Sequence, residues 1–172
     1  MNEPQHYEER YEAMTCAFRD NLDAVLWLSW ANRVLTAIGY VAYPLLLVLV
    51  AIGGAWTDLA KFVFVPAIGF VALSVFRKLC NAPRPYEAFA IDPLIQKDTI
   101  GRSFPSRHTF SMMMIACSWL AWNLPAGIVL GLCACVMACI RVIGGVHFPR
   151  DVVAGALFAI LCVFVGYVLI PW

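Results

Sequence analysis

Long apolar runs with almost no charge in their interior decide what this sequence can fold into. Val34 to Trp56 carries no charged residue, and Asp58 to Cys80 carries charges only near its two ends. A helix needs about 20 apolar residues to cross the hydrocarbon core of a bilayer. Both runs are therefore predicted to be membrane spans. Pro44 is expected only to kink the first, because neighbouring helices re-satisfy the freed backbone groups.

The other apolar runs predict three further spans. Thr109 to Ile140 is uncharged but too long for one span, and the turn signal Asn123-Leu124-Pro125 divides it into two short ones. Val152 to Trp172 is the fifth span, and Pro149 suits the first turn of its helix. The sequence thus predicts an all-α integral membrane bundle of about five transmembrane helices within residues 31–172.

The first 30 residues have a different pattern, which predicts an amphipathic helix. Such a helix can lie on the membrane surface or pack against the bundle, or it can dock on the protein's own loops, and the pattern favours neither alternative. Acidic residues dominate where a signal peptide would need a basic start and an apolar core, so no cleaved signal is predicted. The whole chain, residues 1–172, is predicted to be one domain. The apolar residues of the amphipathic pattern recur at steps of three and four: Tyr7, Tyr11, Met14, Phe18, Leu22 and Val25.

The amino-acid composition limits the classes of molecule that this chain is predicted to bind. The chain is 62% hydrophobic with a net charge of +1, whereas binding to a nucleic-acid backbone needs a basic surface, so the bilayer is the predicted partner and nucleic acid is not. The seven cysteines show no zinc or disulfide spacing and are expected to pack as small apolar residues. No cluster of acids or histidines predicts a metal or cofactor site. Oligomeric state is not indicated.

The predicted topology brings many charged residues to one face of the membrane, where the second and fourth spans end and the third and fifth begin. Singly, arginines at helix ends often meet lipid head groups. Ionisable residues at membrane depth are costly, however, and their convergence favours a functional site. The residues collected on this face are Arg77, Lys78, Arg84, Arg107, His108, Arg141, His147, Arg150 and Asp151.

The stretch "FPSRHTF" opens the third span with the features of an anion site. Ser106 is a natural N-cap, so the free amides of Arg107, His108 and Thr109 are expected to point out of the helix start, where anions bind. A histidine there can donate a proton near neutral pH. A plain capped helix start would explain Ser106 but not the adjacent arginine and histidine.

The stretch "RVIGGVHFPRD" supplies a candidate nucleophile. His147 and Asp151 are four residues apart and can face each other across a helical turn. A carboxylate that holds one imidazole nitrogen leaves the other free to attack. Asp151 could also be only an acid that favours a helix start. With Arg141 and the other cations to stabilise phosphoryl oxygens, the set predicts phosphoryl transfer through a histidine.

Three motifs in order resemble those of the type-2 phosphatidic acid phosphatase family, K-x6-R-P, P-S-G-H and S-R-x5-H-x3-D. Here they read "RKLCNAPRP" from Arg77, "PSRH" from Pro105 and "IRVIGGVHFPRD" from Ile140. The resemblance implies that His147 forms a phosphohistidine, that Asp151 orients it, and that His108 protonates the leaving group and later activates water. It also implies that the phosphoryl oxygens are bound by Arg84, Arg141, Ser106 and the amides of Arg107 and His108.

The sequence departs from the family's motifs at three places. Arg77 stands where the family has lysine and Lys78 comes one residue late; either could hold phosphate, though not in the same geometry. Arg107 replaces the glycine of P-S-G-H, and Ile140 replaces the serine before Arg141. Both histidines and the aspartate remain, so activity is expected.

The predicted function is therefore a membrane phosphatase acting on a lipid phosphate or lipid diphosphate. Arg107, as an additional cation, favours polyprenyl diphosphate over phosphatidylglycerol phosphate or phosphatidic acid. A phosphotransferase with the same site is an alternative, and so is a non-catalytic anion- or lipid-binding protein, although that would not need Asp151. The family's soluble, vanadate-binding haloperoxidases do not fit five apolar spans.

Two arguments disagree about which side of the membrane the site faces. Eleven of the twelve basic residues, all but Lys61, lie on the side of the motifs or in the N-terminal segment, which the positive-inside rule places in the cytoplasm. Several of them are there for phosphate, and many bacterial relatives in the family resembled face outward. We therefore expect a bacterial plasma-membrane protein with an extracytoplasmic site.

Overall fold

The computed structural model describes residues 3–172, with side chains from residue 6 onward, and this part of the chain has helices and no strand. The predicted all-α class is confirmed. The helices are α1 (Glu3–Arg19), α2 (Leu22–Ile52), α3 (Trp56–Cys80), α4 (Pro85–Ala88), α5 (Arg107–Trp122), α6 (Leu124–Ile143) and α7 (Pro149–Val163), and α7 continues as a π-helical segment, Phe164–Leu169.

Four helical segments within residues 3–172 are long and apolar enough to cross a membrane: those built on α2, α3, α6 and α7. The remaining predicted span, the third along the chain, is α5, which has only 16 residues. At 1.5 Å per residue it measures about 24 Å, less than the roughly 30 Å of a bilayer's hydrocarbon core. The chain is thus an integral membrane bundle with four full spans and one short helix.

Helix α5 lies at the centre of this bundle. It packs chiefly against α6 and α7 and also contacts α2 and α3. Phe110, Met114 and Trp119 on α5 are buried, whereas the outer helices leave large apolar side chains exposed, such as Val41 and Leu132. Exposed apolar surface on this scale suits lipid contact rather than water. The outer helices therefore shield α5 from the bilayer.

The first helices begin and end elsewhere than predicted. The amphipathic helix was expected within residues 1–30 and the first span from Val34, but α1 ends at Arg19 and α2 begins at Leu22. Asn21 separates them, because its Oδ1 accepts a hydrogen bond from the amide of Ala24 at 3.2 Å and so caps α2. Leu22 and Val25 therefore belong to α2 and not to the amphipathic helix.

Helix α1 packs on the protein's own loop, as the second alternative predicted, and it also contacts α2 and α6 of the bundle, as part of the first alternative predicted. Its Arg19 Nη1 lies 3.3 Å from Asp92 Oδ2. The Tyr7 ring stacks on that of Phe89 with 4.4 Å between centroids. Each of these partners lies in the long connection between α3 and α5. The connection is thus held between α1 on one side and the bundle on the other.

The beginnings of α5 and α7 lie against each other. The Ser106 amide donates to the Asp151 carbonyl at 2.8 Å. A Cβ atom on Gly155 would lie 2.6 Å from the Ser106 carbonyl oxygen, so only glycine permits this approach. The second and third sequence motifs are brought together in this way.

Candidate active site

His147 and Asp151 face each other at the end of the bundle where α6 leads into α7. Both are buried, with exposed fractions of 2% and 0%. His147 Nδ1 lies 3.5 Å from Asp151 Oδ2, and the His147 amide donates to the Arg141 carbonyl at 3.2 Å. The turn between Arg141 and His147 passes through Gly145 at φ +73°, a conformation that favours glycine. The structure thus brings the predicted nucleophile and its orienting acid together.

A serine that the sequence analysis missed joins this pair. The Ser103 hydroxyl donates to Asp151 Oδ2, and its oxygen lies 3.3 Å from His147 Nδ1. The same carboxylate oxygen accepts from the Phe148 amide at 3.1 Å. Ser103 is 44 residues before His147, so no spacing rule relates them. Its only signal in the sequence was its place three residues before Ser106.

Burial keeps His147 neutral. The low-dielectric surroundings lower the pKa of His147 to about 4, the charges of Arg141 and Arg84 lower it further, and the interaction with Asp151 opposes them. At neutral pH the imidazole is therefore uncharged. With its Nδ1 proton directed at Ser103 and Asp151, Nε2 carries the free lone pair that a nucleophile needs.

Arg141 is buried, and part of its guanidinium has no hydrogen-bond partner among the described residues. It is 2% exposed, and its Nη1 donates to Asn32 Oδ1 at 3.3 Å. Its Nε and Nη2 have no hydrogen-bond partner among the described residues. Buried donors without an acceptor are costly. Two adjacent open donors on a buried cation match the oxygens of a phosphoryl group.

Arg77 and Arg84, both predicted to bind substrate, are buried and direct donors at loop carbonyls. Arg77 donates to the carbonyls of Ser103 at 3.0 Å, Pro105 and Arg102. Arg84 Nη1 donates to the Val146 carbonyl at 3.0 Å, and its Nε to that of Gly101 at 3.1 Å. Arg77 therefore holds the loop that carries Ser103 and leads into α5. Arg84 joins that loop to the turn before His147.

Lys78 is not brought to the buried site. It follows Arg77 on α3 but is exposed. Successive helical residues point about 100° apart, so only one of the two can face the bundle interior. The motif position occupied by Arg77 is the one that reaches the site.

Ser106, Arg107 and His108 form the start of α5 as predicted, with one correction. Ser106 occupies the N-cap position but its side chain makes no hydrogen bond to a backbone amide. Its oxygen accepts instead from the Thr109 hydroxyl at 3.2 Å. The reason is that Thr109, at the third helical position, supplies a competing donor. Arg107 is exposed and His108 is half-buried.

An apolar cavity of about 500 Å³ opens beside the start of α5. Arg107 and His108 line one part of it, and the rest is formed mainly by apolar residues of α2, α3 and α5. Binding sites for small molecules are commonly concave and apolar with a few polar groups. A hydrocarbon chain in this cavity would have its polar end at His108.

Lys97 is a second residue that the sequence analysis missed. It is half-buried in the connection between α3 and α5. Burial lowers the pKa of its ammonium to about 8, and the charges of Arg141 and Arg84 add to this effect. The positive charges of the site's arginines therefore act on Lys97. Among the side chains described, those of residues 6–172, no three His, Cys, Asp or Glu group together in a way that could hold a metal ion.

Comparison with known proteins gives the family. The sequence model of the PAP2 superfamily matches residues 58–172, well over half of the chain. The chain belongs to the PAP2 superfamily. This confirms the family predicted from the three motifs. The match begins after α2, so α1 and α2 lie outside the matched PAP2 segment.

The chain is also similar to individual proteins. The chain is 32% identical over 98 residues to the bacitracin transport permease protein BcrC of Bacillus licheniformis, a match that covers 55% of this chain and 48% of the permease. The chain thus spans about half the length of this curated relative. The crystal structure of Aquifex aeolicus LpxE is similar at a TM-score of 0.71 and 26% identity, covering 92% of this chain and 93% of that one.

A further solved structure shares the fold. It is the first transmembrane PAP2-type phosphatidylglycerolphosphate phosphatase from Bacillus subtilis, with a TM-score of 0.53 and 22% identity. The similarity covers 97% of this chain and 95% of that chain. The similarity to the two solved structures therefore extends beyond the matched PAP2 segment.

Proposed function

We propose that this PAP2 protein is an integral membrane phosphatase that hydrolyses a lipid phosphate or lipid diphosphate, and that residues 1–172 act as one catalytic domain. The observation that carries the proposal is the buried His147 held by Asp151 next to Arg141, whose Nε and Nη2 have no hydrogen-bond partner among the described residues. A nucleophile, its orienting carboxylate and an anion-binding cation are the minimum that phosphoryl transfer through histidine needs.

In the first step His147 Nε2 attacks phosphorus. A nitrogen–phosphorus bond forms, the bond from phosphorus to the leaving oxygen breaks, and His108, which takes up a proton when the anionic head group binds beside it, gives that oxygen a proton. The leaving group is the lipid alcohol of a monophosphate or the lipid monophosphate of a diphosphate. Asp151, through its contact with Nδ1, stabilises the positive charge that develops on the imidazole.

In the second step His108 takes a proton from water, whose oxygen attacks the phosphohistidine. The nitrogen–phosphorus bond breaks, inorganic phosphate leaves, and His147 is neutral again. Arg141 holds the phosphoryl oxygens throughout, while Ser106 and the amides of Arg107 and His108 provide the other side of the anion site. Arg84 and Arg77 contribute positive charge next to it.

The substrate is a lipid because the site adjoins the apolar cavity. The cavity begins at Arg107 and His108, so a prenyl or acyl chain within it would present its head group to the proton donor. Arg107 and Lys97 are cations beyond those that one phosphoryl group needs. They favour a diphosphate head group, and polyprenyl diphosphate is the proposed substrate.

The test is phosphate release from purified protein supplied with polyprenyl diphosphate, phosphatidylglycerol phosphate and phosphatidic acid. His147→Ala should abolish release, and His6→Ala is the matched control because His6 is exposed on α1. Acid-labile phosphate bound to wild type but not to His147→Ala would support the intermediate. Equal release by wild type and His147→Ala would overturn the proposal.

The site is further proposed to face the extracytoplasmic side of a bacterial plasma membrane. Arg77, Arg84 and Arg141 are buried, which weakens the positive-inside count on this side of the membrane. Cys80 is exposed at the end of α3 near the site. A membrane-impermeant maleimide added to intact cells should label Cys80, with Cys80→Ser as control. Labelling of Cys80 only after lysis would contradict this orientation.

A further inference from the structure

Asn32 touches the proposed phosphate site from a helix outside the matched PAP2 segment. It lies on α2, and its Oδ1 accepts a hydrogen bond from Arg141 Nη1 at 3.3 Å. The two residues are 109 positions apart in the chain. Among the described residues no other hydrogen bond is made by the Arg141 side chain. The orientation of this guanidinium therefore depends on Asn32.

The chemistry of the acceptor matters as much as its position. An amide oxygen is neutral, so it fixes the guanidinium without cancelling its charge. A carboxylate in the same place would form an ion pair and compete with phosphate for Arg141. The family's motif has a serine before this arginine, and here that position is Ile140, which is buried in the apolar core. The polar contact next to Arg141 comes instead from α2.

From these contacts we infer that Asn32 is a positioning residue for phosphate binding, which it serves by holding Arg141 so that Nε and Nη2 face the phosphoryl oxygens. A planar guanidinium fixed at Nη1 presents its remaining donors in one direction, which is the preorganisation that anion binding requires. The inference rests on the proposed function only in assigning phosphate to the open donors. It adds a specific requirement, a neutral acceptor at position 32.

The experiment measures binding of inorganic phosphate by calorimetry to the full-length protein in nanodiscs, together with thermal stability. Asn32→Ala should weaken binding roughly tenfold, as for the loss of a hydrogen bond to a charged group. Asn32→Asp should weaken it at least as much while keeping or raising thermal stability. Val41→Ala, an exposed change on the same helix, should bind as wild type does. Arg141→Ala removes the guanidinium and shows how much phosphate binding is left when the site is lost.

The Asn32→Asp variant separates positioning from a merely structural role. If Asn32 only supported the fold, aspartate would keep the hydrogen bond and restore binding, and that result would overturn the inference. Unchanged phosphate affinity in Asn32→Ala, or no phosphate binding by wild type, would overturn it as well. If the predicted affinities are found but no lipid phosphate is hydrolysed, the proposed enzyme function fails and the role of Asn32 stands.

Discussion

Ser103 donates a hydrogen bond to the carboxylate of Asp151. The oxygen of the same hydroxyl lies 3.3 Å from His147 Nδ1, closer than the 3.5 Å that separates this nitrogen from Asp151 itself. A hydrogen bond across 3.5 Å is weak. The serine therefore carries part of the contact by which the acid orients the histidine.

Replacing Ser103 should lower the rate of phosphoryl transfer. We expect Ser103→Ala to reduce kcat about tenfold with a smaller change in KM, because the alignment of the imidazole is lost while the cations remain. Steady-state kinetics of phosphate release measure this. Thr99→Ala removes an exposed hydroxyl from the same loop and should have no effect. A kcat for Ser103→Ala equal to that of wild type would remove the serine from the catalytic arrangement.

The acid side of the pH profile should report the low pKa of His147. Only the neutral imidazole attacks, so activity is retained above its pKa and lost as pH falls through about 4 rather than through the ordinary value near 6.5. Arg84→Gln removes a nearby positive charge and should move this limb of kcat/KM to higher pH. Ionisation of the substrate affects wild type and Arg84→Gln equally. If the acid limbs of their kcat/KM profiles coincide, the limb does not report the pKa of His147.

The alkaline side should report Lys97. Its pKa is lowered to about 8, so the ammonium is charged at neutral pH and loses its charge as pH rises through that value. Turnover of a lipid diphosphate should then decline above about pH 8. Because loss of the His108 proton also lowers turnover as pH rises, the effect of Lys97 is measured as the ratio of diphosphate to monophosphate turnover. This ratio should fall above about pH 8 in wild type and should not change with pH in Lys97→Met. Lys61→Met is the control, since Lys61 pairs with Asp58 at 3.4 Å near the beginning of α3.

Filling the cavity should affect long-chain substrates selectively. A Cβ atom on Gly39 would lie 2.8 Å from Met112 Sδ, and both residues line the cavity. Gly39→Val should raise KM for a long-chain lipid phosphate severalfold and leave that for a short-chain, water-soluble phosphate unchanged. Gly131→Val makes the same change on α6, where nothing lies within 4 Å. An equal rise for both substrates would mean that the cavity does not hold the chain.

The docking of α1 should contribute to stability through Tyr11. Its hydroxyl donates to the Ile143 carbonyl at 3.1 Å and accepts from the Leu94 amide at 3.4 Å, and the residue is 2% exposed. Tyr11→Phe leaves both partners without this contact and should lower the free energy of unfolding by about 1–2 kcal/mol. Denaturant titration in detergent measures it. Tyr40→Phe, at a residue 78% exposed, should change little, and equal losses would argue against the contact.

The parts of the fold that could be read from the sequence are those with a local signal. Charge-free length predicted the outer helices, and Asn123 predicted the break between α5 and α6, where its Oδ1 accepts from the Ala126 amide at 3.1 Å. The boundary between α1 and α2 was missed because one capping asparagine interrupts an apolar pattern that continues on both sides. Periodicity does not detect a single cap of this kind.

The residues of the candidate site also divide into those with a local signal in the sequence and those without one. The placement of His108, His147 and Asp151 at one end of the bundle could be predicted from motif spacing and topology, while their catalytic roles stay predictions. Ser103 and Asn32 could not, since each reaches the site from another element through a contact far apart in sequence, as Asn32 reaches Arg141 across 109 positions. Lys97 could not either, because no motif marks it within the connection between α3 and α5. Whether an arginine points at substrate or at backbone, as with Arg77, also depends on where the loop carbonyls lie.

The shortness of α5 links the site to the thickness of the surrounding bilayer. With 16 residues the helix falls about 6 Å short of a typical hydrocarbon core. If its far end, at Trp122, lies at one interface, its beginning with Arg107 and His108 lies below the level of the other. Lipid head groups must then descend to the site, or the membrane must thin around it, and both become easier as acyl chains shorten.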